Sequence, residues 1–337
     1  MAILTTNITY GGKTPTEAPD GGNLKAALIF QAILAMASFQ SLGYDLREDI
    51  QTSEDMYSII PSDKVTRKKT TCGWNPYGSL GELRDKKITV TELAIEMEQC
   101  AKDFDGKILQ LVKKKGFDRY DLTGTQFEEI LRELAQPIIS RDMNRIISLA
   151  DTASANADYN QIDGKWKKIY TGVAGGTIKK AADLPATGPL ADGAARTALD
   201  AVHFDAPIEL QTMAEADKVK VVTRSVYNNY LKSFASNADL ESAMTVLQTG
   251  LKTVTHWGVP VVVEDLVDAY VAADFAGADP HRIYYTALNN ITVGTDMESD
   301  FTEVDFWYEK KEQMNLMRVN YKLGVAFGWD KLFSVAY

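Results

Sequence analysis

Apolar residues recur at three- and four-residue steps through Phe127, Ile130, Leu131, Leu134, Ile138, Met143, Ile146, Ile147 and Leu149. That is the pattern of one buried face of a helix. The spacing predicts a helix over 122–155, capped by Thr123 or Thr125 with Glu128 in range of a capping box, and kinked or broken at Pro137. At 1.5 Å per residue such a helix is about 45 Å long, which suits a spine lying across a flat molecule.

Elsewhere the period is two. Met56–Thr66 and Lys87–Gln99 read as β-like arms around a turn-rich middle, Thr70–Leu83, which contains Gly73, Asn75-Pro76, Gly78 and Gly81. In the second arm Ile88 and Val90 share one parity, whereas Leu93, Ile95 and Met97 share the other. A change of parity predicts a bulge or two joined strands. The whole span, 56–100, far exceeds an ordinary hairpin turn. It has no core of its own and must lie on something else.

Between about 206 and 288 the pattern is a mixed α/β lobe: a strand Val219–Thr223, a helix Ser225–Leu231, a helix or turn Leu240–Leu251, and an apolar, buried strand Val259–Val263. Tyr159 to about Asp205 is rich in Gly, Ala and Pro and reads as loop. A strand-like segment from Ile283 enters Asn289-Asn290, turns at Gly294-Thr295-Asp296, and passes the acidic, aromatic stretch Asp300–Tyr308. Leu316–Val325 and Leu332–Ala336 then carry strand character to the last residues, which requires the terminus to be held in a sheet. The first 55 residues read as an arm. Its polar start lacks the features of a signal peptide. Ala26–Phe39, with Asn23 as N-cap, is shorter than the ~20 residues of a membrane span and reads as a buried or partner-docked helix.

A length of 337 residues suggests two lobes, and 45% hydrophobic with 24% charged residues fits a globular protein. The net charge of −10 argues against a protein built to neutralise nucleic-acid phosphates. The charge is also segregated. Residues 62–119 carry 13 Lys/Arg and 9 Asp/Glu, whereas 264–309 carry 1 Lys/Arg and 11 Asp/Glu. Against the simple reading of two solvated faces, this pattern offers complementarity: a basic loop on one copy meeting an acidic surface on the next.

No residue is assigned a catalytic, cofactor-binding or metal-binding role, and the chain does not read as an enzyme. Cys72 and Cys100 form neither a metal spacing nor a disulfide framework. His203, His256 and His281 have no ligand partner at i,i+4. Gly172-Val173-Ala174-Gly175-Gly176 lacks the spacing of a dinucleotide loop and reads as a flexible loop. Asp296, Glu298, Asp300, Glu303 and Asp305 do not follow a calcium-loop pattern.

The order of elements, with the run His256-Trp257-Gly258-Val259-Pro260-Val261-Val262, the segment Asn289 to Asp296 and the closing Gly324…Val335-Ala336-Tyr337, resembles the major capsid proteins of tailed bacteriophages. The resemblance implies an α+β fold of the Hong Kong 97 type. An N-terminal arm (1–55) and an extended β-loop (56–100) precede a peripheral domain (101–205 and 289–337) with its spine helix at 122–155, and an axial domain (206–288). It implies self-assembly of many copies into pentamers and hexamers, an icosahedral shell around double-stranded DNA, assembly in the host cytoplasm and residence in the virion. The arm is too short to hold a scaffolding segment of the kind some relatives carry, so a separate scaffold protein is expected, with a portal and a possible cement or decoration protein; no membrane is involved. Some relatives cross-link a loop Lys to a neighbour's Asn; Lys86 or Lys87 and Asn289 or Asn290 are available here. Encapsulin-type shells share the fold and are the nearest rival. A soluble α/β enzyme and a tail or decoration protein are the rivals from other classes.

Overall fold

The computed structural model of the chain describes residues 42–62, 78–100, 138–139, 141–234, 244–246, 252–264, 266–296 and 305–337, with isolated positions between 63 and 77. The chain runs β1 (Tyr44–Arg47), β2 (Ser53–Pro61), β3 (Gly81–Thr89), β4 (Thr91–Cys100), helix α1 (141–149), α2 (Lys165–Ala174), β5 (Lys179–Ala182), α3 (Ala194–Phe204) and the short α4 (Ile208–Gln211). It continues through β6 (Lys218–Thr223), α5 (Arg224–Lys232), β7 (Met244–Val246), β8 (Lys252–His256), β9 (Val259–Glu264) and α6 (Val267–Asp274). The last part adds strands β10 (Ile283–Ala287), β11 (Ile291–Thr295), β12 (Asp305–Glu309), β13 (Met314–Phe327) and β14 (Phe333–Ala336), with a 3-10 turn at Asp330–Leu332 before β14.

Two larger sheets result. In one, β13 pairs with β4 along one edge and with β12 and β11 along the other, and β1 adds beyond β11. The odd-numbered residues of β13 from Met317 to Phe327 all enter the main core, as the two-residue period of a strand requires. The other sheet runs β5-β14-β10-β6-β9-β8-β7. Its β14 is antiparallel to β10 and parallel to β5, so the terminus is held on both sides.

This second sheet is covered on both faces. Val219, Val221, Tyr284 and Val335 join Met143, Ile146 and Trp166 in one cluster. Their strand neighbours Val222, Ile283, Tyr285 and Ala336 join Ala198, Leu199, Val202 and Val226 in another. Alternation therefore decides which core each residue enters. A third cluster, Ile50, Met56, Ile88, Val90 and Ala326, fixes the base of the β2–β3 hairpin.

Several sequence expectations are corrected. The arms of the extended loop are Ser53–Pro61 and Gly81–Thr89 in antiparallel register, so the turn-rich middle ends before Gly81. The parity change at Val90 is the junction of two joined strands: β4 leaves the hairpin and pairs with β13 instead. The Val90 amide donates to the Thr52 carbonyl at 3.0 Å, pinning that junction. Helix α1 stops at 149 rather than 155, because Asp151 turns the chain: its amide reaches the Tyr159 carbonyl at 2.7 Å and its carboxylate takes the Ala153 amide at 2.9 Å. The part of the expected spine before 138, including the break at Pro137, lies outside the described residues, as do the arm helix Ala26–Phe39 and Cys72.

The stretch 159–205 is not loop: it holds α2, β5 and α3. Their apolar spacing (Trp166 and Ile169; Ala195, Ala198, Leu199 and Val202) is helical but brief, and flanking glycines obscured it. Gly172 lies inside α2, where a Cβ would meet Ile178 Cδ1 at 2.6 Å, so it serves close packing. Residues 244–246, expected in a helix or turn, form strand β7. The C-terminal turn falls at Leu288–Asn290, with Asn289 at φ 62°, while Gly294 and Thr295 stay in β11.

A Cβ on Gly324 would lie 2.2 Å from the Thr89 carbonyl oxygen, a backbone atom that cannot yield. Gly324→Ala is therefore expected to destabilise the subunit by about 1–3 kcal/mol by prising the β3–β4 junction off β13. Thermal unfolding of the variant checks this; an unchanged midpoint would mean that the junction does not press on β13.

Candidate assembly surface

The β2–β3 hairpin pairs over nine rungs, from Ser53↔Thr89 to Pro61↔Gly81. That is about 30 Å of ribbon. Among the described residues its base is packed, in the cluster of Met56, Ile88 and Val90. Farther out, Tyr57, Ile59 and Leu83 share one face by parity and register, and are 67%, 73% and 64% exposed. An extended apolar face of this kind marks a binding surface.

Beside the hairpin lies a groove of about 840 Å³, with a second of about 460 Å³ adjoining it. Arg84, Lys86 and Lys87 come from β3, Lys167 and Lys168 from α2, Lys179 and Lys180 from β5, and Lys331 from the turn before β14. Four carboxylates, Asp85, Asp163, Glu209 and Asp330, share the lining. Some cations are paired: Lys86 with Asp330 at 2.5 Å, Lys167 with Asp151 at 2.9 Å, Lys180 with Asp183 at 2.6 Å, and Lys331 with Glu209 at 3.5 Å. Among the described residues, Lys87, Lys168 and Lys179 have no ion-pair partner within 4 Å. Three cations of the basic tract, Arg84, Lys86 and Lys87, thus meet five from elsewhere in a basic concavity of a molecule of net charge −10.

Two buried polar clusters tie the elements behind this surface. Lys165 on α2 is fully buried and donates to both oxygens of Glu264 at 2.7 Å and to the Tyr44 hydroxyl at 2.7 Å. Ser148 of α1 also bonds Glu264, and Tyr284 lies 3.3 Å from the Lys165 amine. Burial lowers the proton affinity of Lys165, and the facing carboxylate opposes that. Burial and the nearby Glu264 raise Tyr44, so it stays protonated.

In the second cluster Lys220 of β6 lies 2.6 Å from His256 Nδ1 and donates to the His256 carbonyl at 3.1 Å. His256 Nε2 lies 3.1 Å from Asp200, which also accepts the Trp257 indole N–H at 2.9 Å. Burial pulls Lys220 down to about 7, partly offset by Glu215 and Asp200, while Lys218 lowers it further. Burial, then Lys220, takes His256 down to about 4.

The residues singled out for possible chemistry scatter. His203 packs against Trp257 and Tyr285, and His256 sits in the cluster above. His281 bonds Ser225 Oγ at 2.8 Å and the Gly188 carbonyl at 2.7 Å. Although this places a hydroxyl beside an imidazole, the Ser225 amide at the head of α5 is taken by Asp268 at 2.6 Å. A carboxylate there would repel an oxyanion. Among the described residues no three His, Cys, Asp or Glu side chains converge on a metal position. Asn290 is buried and bonded to Thr286 and to both backbone groups of Trp329. It holds the turn before β11, and Lys86 is engaged by Asp330. What sequence reasoning missed is the Lys218/Lys220 pair: both are buried and face α3, and their even-number alternation with Val219 and Val221 was the available signal.

No protein-family model matches this chain, and no curated protein matches its sequence. Solved structures do. The satellite phage P4 procapsid, which includes the size determination protein, aligns with a TM-score of 0.54 at 12% identity, covering 91% of this chain and 98% of that one. The capsid of Myoviridae phage XM1 aligns with a TM-score of 0.51 at 12% identity, covering 89% and 90%. An encapsulin complex from Synechococcus elongatus aligns with a TM-score of 0.48 at 10% identity, over 88% of this chain and 86% of that one. The chain has the α+β Hong Kong 97-type capsid fold, the fold of tailed-phage capsid proteins.

Proposed function

We propose that this chain is the major capsid protein of a tailed bacteriophage, assembling through pentamers and hexamers into an icosahedral shell around double-stranded DNA. The observation that carries the reading is the β2–β3 hairpin, whose outward face leaves Tyr57, Ile59 and Leu83 exposed. Hydrophobic burial that a single subunit cannot achieve becomes available when the hairpin lies on a neighbour, so stability is coupled to assembly. Head-to-tail contacts that close by rotation build rings from one such surface. The fold shared over nearly the full length of two phage capsid chains supports the same conclusion. In this reading 1–55 is the arm, 56–100 the extended loop, 101–205 with 289–337 the peripheral domain, and 206–288 the axial domain. The subunit plays no enzymatic part. A separate scaffold and a portal are its partners, and an acidic wall leaves packaged DNA mobile.

Electron microscopy of the purified protein, with and without its scaffold candidate, tests this. Closed shells or hexamer sheets are the expected result; a monodisperse monomer or dimer in both conditions would overturn the proposal. Tyr57→Ser with Ile59→Ser is expected to abolish particles while leaving subunit unfolding within about 0.5 kcal/mol, since neither side chain is packed in the subunit. Normal particles from that variant would remove the hairpin from the assembly contact.

A further inference from the structure

The basic groove has a shape, a charge and unpaired cations among the described residues. Three of its lysines, Lys87, Lys168 and Lys179, have no ion-pair partner among the described residues. Burial lowers the proton affinity of Lys168; Asp163 and Asp330 oppose this, and Lys86 adds to it. Its walls also offer apolar surface, from Leu83 of the hairpin to Val173 and Ile178. A fitting occupant is an acidic segment with aromatic side chains.

The chain contains such a segment outside its helices and strands. Residues 296–305 hold five carboxylates, no Lys or Arg, and Phe301, and Phe306 and Trp307 follow directly; Asp296 is held by Lys322 of its own subunit, and the other four are the ones offered. We propose that the groove receives this segment from a second copy of the chain. The inference rests on the shell-forming reading and gives it a specific contact.

A copy's own segment is too short for the task. It leaves the sheet at Thr295, opposite Leu323, and returns at Asp305, opposite Arg318. The groove lies at the other end of β13, against Phe327 and Asp330. Running from Leu323 out to Phe327 and back to Arg318 along the sheet takes about 43 Å at about 3.3 Å per residue. Ten residues span at most about 36 Å fully extended. The acidic segment is anchored beside the middle of β13, whereas the groove lies past the Phe327 end, so the segment that fills the groove comes from another copy, as in a head-to-tail contact. Charge complementarity then sets register and suppresses wrong pairings.

The test is a charge exchange in the full chain. Lys168→Glu with Lys179→Glu reverses the groove, and Glu298→Lys with Asp300→Lys reverses the segment. Each pair alone is expected to lower shell yield roughly tenfold or more, as the loss of one favourable contact implies. The fourfold variant is expected to restore it. Circular dichroism of each unassembled subunit checks that folding is retained. Full assembly of either pair, or a fourfold variant no better than the pairs, would overturn the contact. So would a groove pair that assembles normally but loses packaged DNA, which would assign the lysines to phosphate. Wild-type protein that forms no particle at all would instead overturn the shell reading itself.

Discussion

Lys165→Met is expected to lower the unfolding free energy of the unassembled subunit by about 3–5 kcal/mol. Lys165 and Glu264 are both fully enclosed, with the amine 2.7 Å from each carboxylate oxygen. Removing the amine leaves a buried carboxylate facing Ser148 and two tyrosines, with no cation to offset its desolvation. Glu264→Leu leaves the converse, a buried ammonium. Lys165→Met combined with Glu264→Leu removes both charges and is expected to recover most of the loss, because an apolar pair of similar volume is often neutral in such sites. A residual cost of about 1–3 kcal/mol should persist from the polar groups left unpaired. Urea unfolding of the three variants measures the cycle. Single variants that each cost under about 1 kcal/mol would show that the pair is not enclosed as described.

The second large effect is a loss of stability on acidification. Lys220 and His256 are bases whose proton affinity folding reduces, to about 7 from the ordinary 10.5 and to about 4 from the ordinary 6.5. As pH falls, the unfolded chain therefore takes up protons before the folded one does. Stability is lost between pH 10.5 and about 7 through Lys220, and again between pH 6.5 and about 4 through His256. Each group contributes a slope of up to about 1.4 kcal/mol per pH unit within its window. The geometry explains the lower window. With 2.6 Å between the Lys220 amine and His256 Nδ1, both nitrogens cannot carry protons toward each other. Asp200 and Glu215 hold the cluster from the other side, Lys218 adds repulsion, and Tyr285 and His203 close it. Unfolding free energy measured from pH 4 to pH 10 should fall toward acid, and Lys220→Met should flatten the upper window. A variant with the same slope as wild type would place the titration elsewhere.

The elements that depend on a local period were legible in the chain. Val219–Thr223, Ser225–Leu231, Val259–Val263 and Leu316–Val325 each sit within a residue or two of β6, α5, β9 and β13. Each carries a periodic apolar face or an unbroken apolar run that names its own geometry. The parity change at Val90 also spoke from sequence alone. Illegible were the elements whose signal is short or diluted by glycine: α2, β5 and α3 were lost in a stretch that reads as linker. The candidate surface was half legible. Charge segregation announced a basic region, but only the fold brings Lys167 and Lys168 on α2 and Lys179 on β5 beside Lys86 and Lys87 on β3.

Residue order is enough to dictate an extended two-armed loop, strands that continue to the last residues, and opposite charges in different tracts. It took folding in three dimensions to make β4 abandon the hairpin for β13, to place Lys165 and Lys220 in the interior, and to gather lysines from distant parts of the chain into a groove. The difference is one of range. A period of two or 3.6 is set by backbone geometry over a few residues, and it states that a face will be buried. What covers that face, and whether a lysine on it meets water or a carboxylate 99 positions away, is set by long-range pairing that no local window contains.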